Sequence, residues 1–493
     1  MDRNSTRART TTAYHTSVVT PFLPDDEKIP ALREALPSTA AGIYLNTGTA
    51  GPMPRETAHA MAEAEAWELR TGRADKNFFE DSLQRKAEAR AAIAAVLGTD
   101  PSRIALAHAA TDGMNVATWA VDWRSGDRVV TTNLEHPGGL GPLWAIRERL
   151  GAKLTIVDIG MGAMGPGPAD SASKLEGSPE ADRSVVARSS REAEGSPEAD
   201  RSVAAGSSRE AEGSSEADRS PGSPPDHSAI LAAFDRAVVP GTKLVSVSHV
   251  SWATGARLPV REIAELAHSR GALVAVDGAQ SVGAIPISVE DLGVDFYAVP
   301  GQKWLLGPEG MGAVYCAPSV LDRPLIAFAG YSSFESMDLA ANGKPWPDAR
   351  RFEVAGFHQP SVLGFARSTA WLSMFVGLPW IYERIARMAG EAAAMLADLP
   401  GVEVLTPRGN MAGLVTFRIA GWGSSAALRE LSQRTLCIAR TIPPLDAIRI
   451  SVGFFNTDGE LRRFRDGVAL VAANTPKTIP HRPQIEVLRG GVD

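Results

Sequence analysis

Apolar positions along the chain recur in two alternating patterns. Residues 55–70 and 79–97 are Ala/Glu-rich and read as helices, whereas short apolar runs at 127–133, 154–158, 243–248, 273–277 and 296–298 read as strands. Helices such as 228–237 and 260–270 separate those runs. Alternation of this kind predicts an α/β layer structure with a mainly parallel sheet. Beyond residue 330 the pattern changes. Long helices over 361–375 and 381–396 precede strands at 402–405 and 413–419, which predicts a smaller α+β C-terminal domain.

Three stretches carry no sustained period. Residues 1–37, rich in Arg, Ser, Thr and Pro, read as a flexible tail, and 476–493 as a second tail. Between 160 and 227 apolar patterning stops, and the unit EGSPEADRS begins at Glu176 and again at Glu194, with the variant EGSSEADRS at Glu212. The unit has no large apolar residue to stack, so the segment reads as a solvated insertion rather than a solenoid. The expected organisation is a large domain over 38–330, interrupted by this insertion, and a small domain over 331–475.

Composition narrows the function. With 493 residues, 44% hydrophobic and 22% charged, the chain can support two or three cored domains. No run approaches the roughly 20 apolar residues of a membrane span, and the first residues lack a secretory apolar segment, so no membrane partner and a cytoplasmic location are expected. A net charge of −7 disfavours nucleic acid as a partner. Two cysteines, Cys316 and Cys437, build no disulfide framework, and no Cys/His cluster has zinc spacing, so a metal is not expected.

Chemistry concentrates at strand ends, where open α/β sheets bind ligands. The run LVAVD ends on Asp277, and the next strand leads into GQKWLLGPEG, where Lys303 sits among glycines that let backbone approach a bulky ligand. A lysine in a glycine-rich loop is ordinarily a solvated side chain. Its pairing with a strand-end Asp changes that reading, because pyridoxal 5'-phosphate (PLP) chemistry needs a Schiff-base lysine and a carboxylate at the pyridine nitrogen.

VDGAQS followed by GQKWLLGPEG resembles the class V aminotransferase group of fold-type I PLP enzymes, which includes cysteine desulfurases, cysteine/cystine C–S lyases and isopenicillin N epimerase-like proteins. The resemblance runs over about 41–470, apart from the insertion. It implies the fold-type I architecture, PLP as cofactor, Lys303 as Schiff-base lysine and Asp277 as the pyridinium partner. It further implies that Gln280 donates to the phenolate oxygen and that His136, in NLEHPG, stacks on the ring. Ala110 and Thr111, in HAATDGMN, would bind phosphate at a helix N-terminus, with Gln302 and Ser248 as further phosphate contacts. Where relatives place a Thr or Ser shortly before the lysine this chain has Pro300, which offers neither hydroxyl nor N–H. Phosphate binding must then lean on Thr111, on Gln302 or on a neighbouring subunit through Ser332 or Ser333, and the resemblance implies a homodimer.

The resemblance also bears on the reaction. Arg449 fits the family's carboxylate-binding arginine, and Arg440, nine residues earlier, fits a second substrate-contacting arginine of the C–S lyase branch. Desulfurases need a nucleophilic cysteine on a loop just after the Arg-Thr pair, where this chain has IPPL. The segments SHVSWATGARLP, FAGYSSF and RRFEVAGFHQP also resemble the C–S lyases. Expected is β-elimination from cysteine, cystine or a cysteine conjugate, with Lys303 as base and Tyr331, Trp252, His358 and His249 lining the substrate side. A transaminase or epimerase would use the same cofactor residues. A catalytically silent relative acting as a binding protein is the alternative from another class, and the intact Lys303 and Asp277 argue against it.

Overall fold

A computed structural model describes residues 24–74, 76–159, 227–323 and 326–481. Seven strands form the central sheet. Their order across it is Lys153–Val157, Arg128–Thr132, Thr242–Ser248, Leu273–Asp277, Phe296–Pro300, Gly312–Cys316 and Ile104–Ala107. Gly312–Cys316 runs opposite to the other six strands, antiparallel to both Phe296–Pro300 and Ile104–Ala107. The other six strands therefore end at one edge of the sheet, and that edge carries Glu135, Ser248, Asp277, Lys303 and Ala110.

The predicted elements recur with small changes at their ends. Helices form over Arg55–Thr71, Lys76–Leu97, Ser228–Ala237, Val260–Ser269 and Leu378–Ala397. The helix expected at 361–375 is Gln359–Ala370, followed by a π-helical turn Trp371–Val376 that stops at Gly377. Strands Ile104–Ala107 and Gly312–Cys316 escaped prediction: IALA is short and half alanine, and GAVYC opens on Gly-Ala, so both are poor in strand-favouring residues. The helix Pro137–Leu150 was hidden by its opening PGGLGP, which is poor in helix formers.

Two corrections concern organisation. The tail expected over 1–37 gives way to a helix at Asp25–Ala35, where Ile29 and Leu32 are buried, as is Leu36 at its C-terminal cap. Its Lys28 ammonium donates to the Val376 carbonyl at 2.7 Å and lies 4.0 Å over the Trp380 ring. The cores also divide elsewhere than at residue 330. Phe357, Val362, Phe365 and Trp371 pack in the core of the large sheet, whereas Ile43 and Leu45 join that of the C-terminal sheet with Phe417, Ile448 and Phe464. That second sheet is antiparallel, in the order Val402–Val404, Leu414–Ile419, Ala447–Ser451, Arg440–Ile442. The N-terminal strand Ile43–Tyr44 pairs with Cys437–Ile438, bringing the loop that follows it to the sheet edge where the chemistry gathers. The repeat insertion at 160–226 and the ends 1–23 and 482–493 lie outside the described residues.

Candidate active site

A cleft of about 230 Å³ opens at this edge, lined by Lys303, Asp277, Gln280, His136, Ala110, Thr111, Gln302, Arg440 and Arg449 together with Gly48, Thr49, Trp252 and Pro300. A wider groove of about 550 Å³ runs beside Val402, Glu403, Arg418 and Trp422, but it holds no lysine and no buried acid. Volume does not locate the chemistry here; the charged groups do.

Lys303 rides a tight turn after the strand Phe296–Pro300. Leu306 N–H donates to the Lys303 carbonyl at 3.1 Å, and Gly307 N–H to Gly301 at 2.9 Å. Leu306 takes a left-handed φ of 57°, unusual for a branched side chain, and its complete burial holds it there. Asp277, at the end of the neighbouring strand, accepts from the Ala279 N–H at 2.8 Å and is 6% exposed. A Cβ at Gly278 would meet the Tyr297 ring at 2.2 Å, so only glycine lets the chain turn there. Burial lowers the Lys303 ammonium to about 8; the Asp277 carboxylate opposes that shift and the two arginines add to it.

His136 caps the helix Pro137–Leu150, its Nδ1 accepting from the Gly138 N–H at 3.0 Å. Its ring stands at 88° to Trp252 with centroids 5.2 Å apart. Burial, then the charge of Lys303, lowers its pKa and favours the neutral ring. The preceding Glu135, which sequence reasoning passed over, is buried and accepts from Ser248 Oγ at 2.5 Å and Thr132 Oγ1 at 2.6 Å. Burial raises its carboxyl to about 7 against those hydrogen bonds. Ser248, expected at the phosphate, is thereby committed to Glu135.

The helix Ala110–Trp119 points its N-terminus into the cleft, so its first backbone N–H groups face the pocket with the Thr111 side chain. Pro300 lines the same wall, and Gln302 brings a buried Oε1 with no partner. Gln280 Nε2 donates to the Gly48 carbonyl at 2.8 Å, and its Oε1 accepts from Trp304 at 3.0 Å, leaving one amide hydrogen for a ligand.

The nine-residue spacing of the arginines has a structural cause. Arg440 and Arg449 are directly opposed in an antiparallel hairpin closed by the turn Pro443–Leu445. Like charges opposed on a sheet repel. Burial, and then Arg440, lower Arg449 to about 9. Arg449 Nη1 donates to the Trp252 carbonyl at 2.7 Å, and the Arg440 guanidinium lies 5.7 Å from the Trp252 ring centre. Thr49 was also missed by sequence reasoning, and its only signal was the Gly/Thr-rich run NTGTAGP after the first strand.

Other expected residues lie elsewhere. Tyr331 is 75% exposed and outside this chain's cleft. Ser333 is buried, its hydroxyl donating to the Glu353 carbonyl and accepting from the Gly330 N–H. His249 is buried against the Tyr297 hydroxyl at 2.7 Å, and burial pushes its pKa down to about 3, so it is structural rather than a substrate neighbour. His358 bonds Ser361 at 2.8 Å beyond the cleft. Cys316 and Cys437 are both buried, and burial raises both thiols.

The model of the family described as Aminotransferase class-V matches residues 43–168 and 224–464, most of the chain. The chain belongs to this family. As a class V aminotransferase it is a PLP-dependent enzyme of fold-type I. Among its relatives, a probable cysteine desulfurase of Methanothermobacter thermautotrophicus is 24% identical over 87% of this chain and 95% of its own length. Isopenicillin N epimerase of Streptomyces clavuligerus is 30% identical over 50% of this chain and 65% of its own. The cystine C–S lyase C-DES, solved with its product cysteine persulfide, superposes with a TM-score of 0.70 at 23% identity, covering 88% of this chain and 99% of that one.

The cleft of this class V aminotransferase fits PLP on its own chemistry. It offers a lysine of lowered pKa, a buried acid, a neutral imidazole and a helix N-terminus. The buried Gln302 Oε1, Trp252 Nε1 and Arg449 Nε on its walls have no partner among the described residues. Unsatisfied buried polar atoms cost about 1–3 kcal/mol each, so their convergence on one cavity marks a ligand site.

Proposed function

We propose that this enzyme cleaves the C–S bond of cysteine, cystine or a cysteine conjugate by β-elimination. When bound, PLP supplies an electron sink for the pair left at the substrate's α-carbon. Lys303, whose buried amine gives up its proton more readily than a free lysine, holds the cofactor and then takes the α-proton. With PLP bound, the Asp277 carboxylate would keep a proton on the ring nitrogen, and the neutral His136 imidazole would help to hold the ring. Gln280 would have its remaining amide hydrogen to offer a cofactor oxygen. The first turn of Ala110–Trp119, with Ala110, Thr111 and Gln302, would hold the phosphate in place of the hydroxyl that Pro300 lacks. Arg440 and Arg449 hold the substrate carboxylate.

One observation carries the choice of reaction. The Arg440–Arg449 hairpin turns through Pro443–Leu445 without a thiol, and both cysteines are buried in strands with raised pKa values. No cysteine is therefore poised to take sulfur from the substrate, and the sulfur leaves with the departing group. The names of the relatives, cysteine desulfurase and cystine C–S lyase, support the C–S chemistry. A cytoplasmic homodimer completes the proposal, and the exposed Tyr331, unused by its own cleft, supports the second copy.

The test is to add L-cysteine or L-cystine to the PLP-loaded protein, follow the cofactor absorbance and assay pyruvate with released sulfide or persulfide. Pyruvate from wild type and none from Lys303→Ala is expected. A spectral change without pyruvate would transfer the reading to transamination or epimerisation.

A further inference from the structure

Arg440 and Arg449 face each other with no acidic partner among the described residues, and only neutral oxygens answer them. Those oxygens are the Trp252 and Thr441 carbonyls and the hydroxyl of Thr49. Thr49 Oγ1 is the one atom shared by both, 3.4 Å from Arg440 Nη1 and 3.4 Å from Arg449 Nη2. Its proton is committed elsewhere, because Thr49 Oγ1 donates to Asn46 Oδ1 at 2.8 Å, so lone pairs are what it presents to the two guanidinium groups. Both contacts are longer than an ordinary N–H···O bond, so Thr49 by itself holds the two guanidinium groups only weakly.

The loop that carries Thr49 is itself fixed. Thr49 N–H and Ala50 N–H return to the Asn46 carbonyl, Gly48 C=O accepts from Gln280, and Gly51 N–H donates to Gln302 C=O at 2.7 Å. A Cβ at Gly51 would lie 2.3 Å from the Lys303 carbonyl, so this loop packs directly on the lysine turn. The N-terminal loop thus joins the cofactor wall to the arginine wall, while Thr49 remains exposed at the mouth of the cleft.

We propose that Thr49 is a positioning residue that sets the enzyme's selectivity for an α-carboxylate, by holding Arg440 and Arg449 aimed at a common point. This rests on the assignment of the two arginines to the substrate carboxylate. Without the shared acceptor the guanidinium groups separate, and a carboxylate must draw them together at its own expense. An amine lacking the carboxylate makes no use of them and is indifferent to Thr49.

The experiment is equilibrium titration of the PLP-loaded protein, read from cofactor absorbance, with L-alanine and with ethylamine. Neither carries sulfur, so the result does not depend on C–S cleavage. In Thr49→Val, which keeps the shape and removes the acceptor, the dissociation constant for L-alanine should rise about fivefold, the worth of one ordinary hydrogen bond. That for ethylamine should stay within about twofold, and Thr49→Ser should restore alanine binding. An unchanged alanine affinity in Thr49→Val would overturn the proposal, as would an equal loss for both amines, which would place the effect in the fold or the cofactor. If alanine responds as expected while cysteine and cystine yield no pyruvate, the positioning role stands and the lyase reading fails.

Discussion

At the scale of single residues, the behaviour of this site follows from how few charges are allowed into a buried cleft. Lys303 is the clearest case. Desolvation lowers its ammonium to about 8, and the opposing pull of Asp277 is too weak to restore the ordinary value of 10.5. The uncharged amine that attacks an aldehyde therefore becomes abundant as pH rises through about 8, well below where a free lysine would respond. Incorporation of PLP into the cofactor-free protein should accelerate roughly tenfold per pH unit below 8 and level off above it, as followed by stopped-flow absorbance. A rate still climbing at the same slope to pH 10 would show that the lysine is not desolvated. Glu135 illustrates the opposite sign. Its buried carboxyl is raised to about 7, so it stays protonated in the folded protein where an unfolded chain would ionise it, and the stability this contributes fades as pH rises from about 4.5 to 7.

At the scale of elements, the hairpin that carries the two arginines depends on register. Arg440 and Arg449 face one another because the turn Pro443–Leu445 fixes how many residues close the ladder, with Asp446 in a left-handed conformation at φ 43° and its carboxylate accepting from the Ser424 N–H at 2.9 Å. Side chains on a strand alternate faces, so a one-residue slip turns one arginine away from the cleft. Inserting a single glycine after Pro444 should therefore raise KM for the amino-acid substrate by at least about tenfold while the protein still binds PLP, since the cofactor residues lie on the other sheet. Steady-state kinetics beside the cofactor spectrum separate the two effects. Loss of both substrate affinity and bound cofactor would mean that the hairpin supports the whole cleft.

At the scale of the whole molecule, the family match stops at residue 168 and resumes at 224, and the strand Lys153–Val157 and helix Ser228–Ala237 on either side are complete. Removing residues 169–223 should leave kcat/KM within a few-fold and the thermal midpoint within a few degrees, because the family match and the two flanking elements continue without them. A deletion variant that no longer folds or turns over would assign the repeat a structural or catalytic part. Much of this fold could be read from the chain. The parallel strands announced themselves by apolar runs ending in polar strand ends, and Lys303, Asp277, His136, Thr111, Arg440 and Arg449 were named from motifs and do meet in one cleft. Ile104–Ala107 was not legible, because four residues with two alanines carry little strand propensity, and its pairing with Gly312–Cys316 is what makes it a strand.

The sequence by itself determined the chemistry available to this protein. It supplied a lysine in a glycine-rich turn, an acid at a strand end, a histidine before a helix and two arginines nine residues apart. Local pattern suffices for that, because the residues within each motif are neighbours along the chain. Tertiary structure alone decided what those groups experience. The sheet set Arg440 against Arg449, the strand Ile43–Tyr44 brought Thr49 between them, and packing committed Ser248 to Glu135 and His249 to Tyr297. Each of these partnerships joins residues far apart in sequence, and a side chain's charge state and free hydrogen bonds are set by what burial places beside it.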